Sequence, residues 1–387
     1  MNDASDKELN METRVVHAGH PEPRIERAAV MPVFQCTVYE QKDDDASYFD
    51  VRYPRLNNLP GHAALARRLA SLEGAEDALV CSSGMAAICT TLMALLRDGG
   101  HLLAQDQLYG GTHSFLVKHL KSFGMDCDFI SADDPGAWNS KLKPNTRAIY
   151  VETMTNPLLR VIDHRAIVDF AREHELVSVI DNTFATPVNF RPAEFGYDLS
   201  LHSATKYLNG HSDLVAGAVI GNAKHVGAVG SLLAILGGTL EPHGCFLLDR
   251  GIKTLVLRVR HQNANALVLT KHLERHPAVA CVNYPGLEKH PDHALARELF
   301  DGFSGMFSFE LTGGTEAAKK CIKRLRLPIH GPSLGGPETL VTRPATSSHA
   351  GLTAQERKDL GIADGLIRVS VGIESVEDLI RDFDAAL

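Results

Sequence analysis

Apolar residues recur along this chain in two alternating rhythms. The runs Ala78 to Cys81, His101 to Ala104, Cys127 to Ile130, Ala148 to Val151 and Val177 to Ile180 are short and largely apolar, as strands buried on both faces require. Between them the spacing becomes helical: Leu65, Leu69 and Leu72 lead up to Gly74, Ile88, Leu92 and Leu95 follow, and further helical segments lie near Thr112 to Phe123 and His164 to His174. This alternation predicts an α/β fold with a mostly parallel sheet covered on both faces. Leu199 and Leu201 add a short buried strand, and the segment after it breaks at Asn209-Gly210.

The ends of the chain read differently. Up to about Asn58 there is little periodicity, four prolines (Pro21, Pro23, Pro32, Pro54) and an acidic cluster from Asp43 to Asp45, which predicts an extended arm over residues 1–58. A large domain then spans 59–254. Beyond Gly244 the apolar positions Leu255, Val259, Leu267 and Leu273 predict one long helix bridging into a smaller α+β domain, 255–387. Its expected elements are strands at Ala280 to Asn283 and Met306 to Leu311, a helix through Ala317 to Leu325, a strand at Ile367 to Val371 and a final amphipathic helix from Val376.

Composition narrows the function classes. With 387 residues, 44% hydrophobic and 22% charged, the chain is ordinary for a globular protein with a large core. A net charge of -8 with both signs scattered argues against nucleic acid or an anionic membrane as partner, since either requires a basic face. The polar, acidic-leaning start from Met1 to Glu12 reads neither as a signal peptide nor as a membrane span. Seven widely spaced cysteines without a Cys-x-x-Cys pair fit a reducing cytoplasm, and the nineteen histidines form no metal-binding helical pair, so no metal is expected.

The chemistry gathers around Lys206. Placed at a strand end rather than on a solvated helix, a lysine loses hydration, its pKa falls, and the neutral amine can form an imine with a carbonyl compound. Thr205 and Ser203 lie one and three residues before it, so two hydroxyls fall where a phosphate on that compound could collect hydrogen bonds. Taken alone, a surface lysine in a Ser/Thr-rich turn explains the pattern as well. Asp181 closes an apolar strand and could keep a pyridine nitrogen protonated, or cap a turn.

Ser83-Gly84-Met85 stands where a strand hands over to a helix N-terminus, which suits a phosphate but equally an ordinary cap. Tyr109, before two glycines, could lie over a planar ring or act as an acid/base hydroxyl; simple packing is the alternative. Asn156 is biased to an extended conformation by Pro157 and could bond outward or cap its loop. Tyr53 and Arg55 point the same way from an extended chain and could grip a phosphate together, or pack on each other. Arg368 lies inside an apolar strand, where a guanidinium is costly unless it meets an anion, either a substrate carboxylate or an internal partner.

The Lys206 stretch Asp198 to Ser212, Asp181-Asn182-Thr183, Ser82-Ser83-Gly84-Met85 and Leu366 to Gly372 resemble the Cys/Met-metabolism family of pyridoxal-phosphate enzymes. That family includes cystathionine γ-synthase, cystathionine β- and γ-lyases, methionine γ-lyase and O-acyl-homoserine sulfhydrylases, and the resemblance runs from about Thr13 to the last helix. It implies a fold type I PLP-dependent transferase with pyridoxal 5'-phosphate on Lys206, Asp181 at the ring nitrogen, Tyr109 stacked on the ring, and Ser83, Gly84, Met85, Ser203 and Thr205 around the phosphate. It also implies that Asn156 contacts the cofactor's phenol oxygen and, with Arg368 and the backbone of Ser333, faces an amino-acid substrate. Tyr53 and Arg55 would reach the cofactor of a neighbouring subunit in a homotetramer.

Four departures from the family's usual pattern stand out: Asn57-Asn58-Leu59-Pro60 for Asn-Pro-Thr, Gly111 for the Cys of methionine γ-lyases, Pro332 for the Glu common in cystathionine enzymes, and Arg343 for a frequent His. The expected reaction is β- or γ-elimination at a sulfur amino acid, in trans-sulfuration or sulfur amino-acid metabolism. Replacement on an O-acyl-homoserine is the alternative, and a non-catalytic binding protein on the same fold is the reading from another class.

Overall fold

The computed structural model describes residues 9–41, 51–131 and 134–387; the acidic cluster Asp43 to Asp45 lies outside them. Seven strands form the larger sheet: β1 (Asp77–Cys81), β2 (His101–Gln105), β3 (Asp126–Ile130), β4 (Thr146–Glu152), β5 (Val177–Asp181), β6 (Leu199–His202) and β7 (Gly217–Gly221). Their order is β1-β7-β6-β5-β4-β2-β3. Strands β3, β2, β4, β5 and β6 pair in parallel, so their C-terminal ends share one edge, where open α/β sheets hold ligands.

Strand β7 runs antiparallel between β1 and β6 and was not legible in the sequence, because glycines stand at both of its ends. The smaller sheet has β8 (Val279–Asn283), β9 (Met306–Leu311), β10 (Ile329–His330), β11 (Leu340–Thr342) and β12 (Ile367–Ser370), ordered β10-β11-β12-β9-β8 and mostly antiparallel.

The helices follow the apolar spacing with local corrections. Leu65, Leu69 and Leu72 are fully buried on the helix Pro60–Glu73, each contributing about 1.5–3 kcal/mol by burial, and Gly74 ends it at φ +70°. On the helix Gly84–Leu96, Leu96 rather than Leu95 enters the core; on Leu255–Leu273 it is Leu269 rather than Leu267. The single long helix expected beyond Gly244 is two, Pro242–Ile252 and Leu255–Leu273, parted at Lys253-Thr254. The segment near Thr112 to Phe123 is a helix Gly110–Lys118 followed by one tighter turn, Leu120–Phe123.

The arm departs from expectation at its start. Met11–His17 is a helix, its Val15 buried, and Arg14 donates to the Ser71 carbonyl at 3.1 Å while Arg68 donates to that of Ala18 at 2.9 Å. Seven residues are too few for a periodic signal, so this helix exists through its contacts with Pro60–Glu73.

Candidate active site

Lys206 follows β6, whose four residues are all buried. After His202 the chain turns: Lys206 N–H donates to the Ser203 carbonyl at 3.0 Å, and Gly210 N–H returns to the Lys206 carbonyl at 2.7 Å. Gly210 has φ +68°, and a β-carbon there would come within 1.8 Å of an Arg258 nitrogen. That buried guanidinium donates to the carbonyls of Tyr207 and Gly251, both at 2.9 Å, clamping the loop beside Lys206. Nothing in the helical spacing around Arg258 announces this contact.

The Lys206 amine donates to Ser333 Oγ at 2.7 Å. Burial, with a smaller push from the Arg368 charge, brings its pKa down to about 8, so a neutral amine is accessible near neutrality. Arg368 on β12 is itself buried, and it donates to Asn156 Oδ1 and to the Ser333 carbonyl, both at 3.1 Å. Among the described residues no carboxylate pairs with it, and burial draws its pKa down to about 10. A buried guanidinium held only by neutral oxygens, on the wall of a cavity, is suited to an anion entering from that cavity.

Asp181 ends β5 in register with Glu152, which ends β4. One Asp181 oxygen accepts the Thr183 N–H at 3.0 Å and the other faces the Tyr150 hydroxyl at 3.5 Å. Burial raises the pKa of Asp181, while Thr183 and the charge of His202 oppose the rise. Glu152 is pushed well above the carboxylate range by burial and by Asp181, so of the two Glu152 holds a proton more tightly and Asp181 ionises first. Glu152 also accepts the Tyr109 N–H at 2.6 Å, which fixes where that tyrosine starts its helix. The sequence reading passed over Glu152; its register opposite Asp181 appears only once the strands are paired.

Ser83 caps the helix Gly84–Leu96, accepting the Ala86 N–H at 3.0 Å. A β-carbon on Gly84 would stand 2.8 Å from that of Ser203, so the absent side chain is what lets the helix start and the lysine loop close on one hollow. Thr205 reaches the same hollow, but its hydroxyl donates to the Ala216 carbonyl and accepts the Ala216 N–H, locking the loop rather than offering a proton to a phosphate. Tyr109 is 43% exposed. Its ring occupies the space a side chain at Gly111 would take, 2.5 Å from the β-carbon position.

Ser83, Gly84, Met85, Tyr109, Asn156, Asp181, Ser203, Thr205, Lys206, Ser333 and Arg368 therefore line one cavity of about 760 Å³. Tyr53 and Arg55 do not line it. The Arg55 guanidinium lies 5.3 Å over the Tyr53 ring and donates to the Ala234 carbonyl at 2.5 Å. The unusual Asn57-Asn58 pair pins this segment: Asn58 accepts the Tyr53 N–H at 2.9 Å, and Asn57 donates to the Val80 carbonyl on β1 at 2.6 Å. Arg343 stays outside the cavity and grips the Asp364 carbonyl at 2.8 and 3.0 Å. Among the described residues no group of acidic, His and Cys side chains could hold a metal ion, and no helix is long and apolar enough to cross a membrane.

These residues fit pyridoxal 5'-phosphate. The hollow left by Gly84 beside Ser203 at a helix N-terminus suits the phosphate, the Asp181 anion suits a ring nitrogen, and the softened Lys206 amine suits the aldehyde.

Comparison with known proteins points the same way. The sequence profile of the family described as Cys/Met metabolism PLP-dependent enzyme matches residues 12–387. Cystathionine beta-lyase of Coxiella burnetii is 38% identical over 99% of both chains, and L-methionine gamma-lyase of Pseudomonas putida is 39% identical over 99% of this chain and 98% of its own. The crystal structure of cystathionine gamma-lyase from Lactobacillus plantarum complexed with L-serine superimposes with a TM-score of 0.92 at 35% identity, over 98% of both chains. Three differently named lyases thus stand at nearly equal distance.

Proposed function

The chain belongs to the Cys/Met metabolism family of PLP-dependent enzymes and is a carbon–sulfur lyase; we propose that it eliminates at the β- or γ-carbon of cystathionine or a methionine-type amino acid. The observation that carries this reading is the meeting of Lys206 and Arg368 on Ser333, which sets an amine able to move a proton beside a guanidinium that, among the described residues, has no carboxylate partner and can hold one.

Pyridoxal 5'-phosphate, when bound through Lys206, Asp181 and the Ser83 to Met85 turn, supplies the electron-withdrawing ring that weakens bonds at the substrate's α-carbon. Arg368, braced by Asn156 and the Ser333 carbonyl, receives the substrate carboxylate and thereby decides which α-bond faces Lys206. Lys206, with its pKa near 8, takes up the α-proton. Tyr109 at the cavity mouth returns a proton to the leaving sulfur. Glu152, neutral and bonded to Tyr109 N–H, fixes the tyrosine's backbone and leaves Asp181 as the charged partner of the ring.

Replacement on an O-acyl-homoserine is the second reading, favoured by Pro332 on the cavity wall, which stands where cystathionine enzymes commonly carry a Glu. The loaded protein, incubated with L-cystathionine, L-methionine, L-homocysteine or O-acyl-homoserines with and without a thiol, separates the two by product mass. Keto acid and ammonia from a sulfur amino acid alone support elimination; consumption only when a nucleophile is present would replace that reading.

The site's completion by a neighbouring chain belongs to the same proposal. Tyr53 is 37% exposed, and Ile235 and Leu236 beside the Arg55 anchor are 74% and 52% exposed, an apolar surface consistent with assembly into a homotetramer. Sedimentation of the loaded protein tests it. Seven free cysteines fit the cytoplasm as its compartment, which cell fractionation checks.

A further inference from the structure

Thr342, Ser347 and Ser348 set three hydroxyls on one wall of the cavity. A hydroxyl has one proton, so where that proton goes decides what the oxygen offers a substrate. Ser347 Oγ lies 2.9 Å from the Arg343 carbonyl, which can only accept, so Ser347 donates inward. Thr342 Oγ1, 3.0 Å from Ser347 Oγ, then meets a lone pair and is itself the donor.

Ser348 Oγ lies 2.9 Å from His349 Nδ1. His349 is 4% exposed, and burial together with the Arg368 charge brings its pKa down to about 4, so the ring is neutral and carries one N–H. The Asn156 backbone carbonyl favours an N–H on that ring, against the lowering. With that N–H on Nε2, Nδ1 keeps a lone pair and Ser348 donates to it. The Thr342 and Ser347 protons thus point into the protein, and that tautomer turns the Ser348 proton inward as well, leaving hydroxyl lone pairs towards the cavity.

Its course matters as much as its polarity. Thr342 stands opposite Arg368 in the β11–β12 register, and the Ser348 carbonyl packs so closely on Gly110 that a β-carbon there would come within 2.1 Å. The wall therefore runs from the guanidinium that would hold the α-carboxylate to the start of the Tyr109 helix. The carboxylates lining the cavity among the described residues are Glu152 and Asp181, both at the ends of the parallel strands.

We propose that this wall is the specificity element of the lyase: its lone pairs receive the second ammonium of a diamino acid such as cystathionine, and His349 is the positioning residue that keeps Ser348 an acceptor. The inference rests on the lyase reading above and supplies what Pro332 withholds, neutral acceptors in place of a carboxylate. Methionine, whose far end is a thioether methyl, gains nothing from such a wall.

The test compares L-cystathionine with S-(3-carboxypropyl)-L-cysteine and S-(2-carboxyethyl)-L-homocysteine, each of which lacks one of its two amino groups. Affinity for the holoenzyme is read from the change in cofactor absorbance on binding, and turnover from thiol and keto acid released in the same samples. One desamino analogue is expected to bind about tenfold more weakly than cystathionine, the loss of a hydrogen bond to a charged group. Ser348→Ala and His349→Phe are each expected to bring that ratio towards one, the second although the hydroxyl remains. Equal affinity of the wild-type protein for all three ligands, or a ratio unmoved in both variants, overturns the proposal. Absence of thiol or keto acid release from any of them instead removes cystathionine as the lyase's substrate, while the affinity ratio still decides the role of the wall.

Discussion

Ser333 Oγ lies 2.7 Å from the Lys206 amine while the carbonyl of the same serine accepts Arg368, so one residue touches both the amine proposed to move the proton and the guanidinium proposed to hold the carboxylate. Ser333 holds φ +106°, a conformation that costs a residue with a β-carbon about 1–3 kcal/mol and persists only where surrounding contacts enforce it. Ser333→Ala keeps the carbonyl and loses the hydroxyl. The expected outcome is a fall in kcat of about ten- to a hundredfold with KM nearly unchanged, because the amine is no longer held while Arg368 still is. Steady-state kinetics on the preferred substrate check this, and a change confined to KM would contradict it.

The lowered pKa of Lys206 has a direct sign. The neutral amine is the nucleophile, so the rate at which apoprotein takes up pyridoxal 5'-phosphate should rise with pH up to about 8 and level off above it. Stopped-flow absorbance from pH 6 to 10 follows the uptake. A rate still climbing at pH 10 would indicate an ordinary, hydrated lysine. Lys206→Ala should abolish the yellow colour altogether.

Gly111 leaves room for the Tyr109 ring, whose Cε1 stands 2.5 Å from where a β-carbon would be. Gly111→Ala is therefore expected to turn the ring out of the cavity and to lower turnover about tenfold or more, with little change in thermal stability because Tyr109 is already 43% exposed. Comparing kcat with the melting temperature of the same variant separates ring displacement from general damage.

Arg258 tests the lysine loop from outside the cavity. Its buried guanidinium satisfies the carbonyls of Tyr207 and Gly251, and Arg258→Met leaves both without that partner. A loss of about 2–4 kcal/mol is expected, read as a lower midpoint in chemical denaturation, with weaker cofactor retention in the surviving folded protein. Gly210→Ala should act in the same direction through its positive φ and its contact with Arg258.

Much of this was legible along the chain because it depends on local spacing. The parallel strands declared themselves as apolar runs, and Lys206, Asp181, Ser83 and Asn156 all sit at or just beyond strand ends, where a one-dimensional pattern already marks the ligand edge of the sheet. Arg368 was singled out by cost alone, as a charge inside an apolar strand, and it is buried without a carboxylate partner among the described residues. The helix Met11–His17, strand β7 and the break at Lys253-Thr254 escaped because each is short or glycine-flanked and gains its order from packing.

Order along the chain, with the amphipathic rhythm and the residues that punctuate it, determined the α/β architecture and placed Lys206 just beyond a strand end, since these follow from neighbours within a few positions. Contacts between distant segments decided the rest. Glu152 meets Asp181 only by strand register, Thr205 gives its proton to Ala216 only because the loop folds back, and Arg368 meets Asn156 only because the two sheets close on one cavity. Protonation and hydrogen-bond direction depend on burial and on what lies across a gap of about 3 Å, and neither is encoded in spacing.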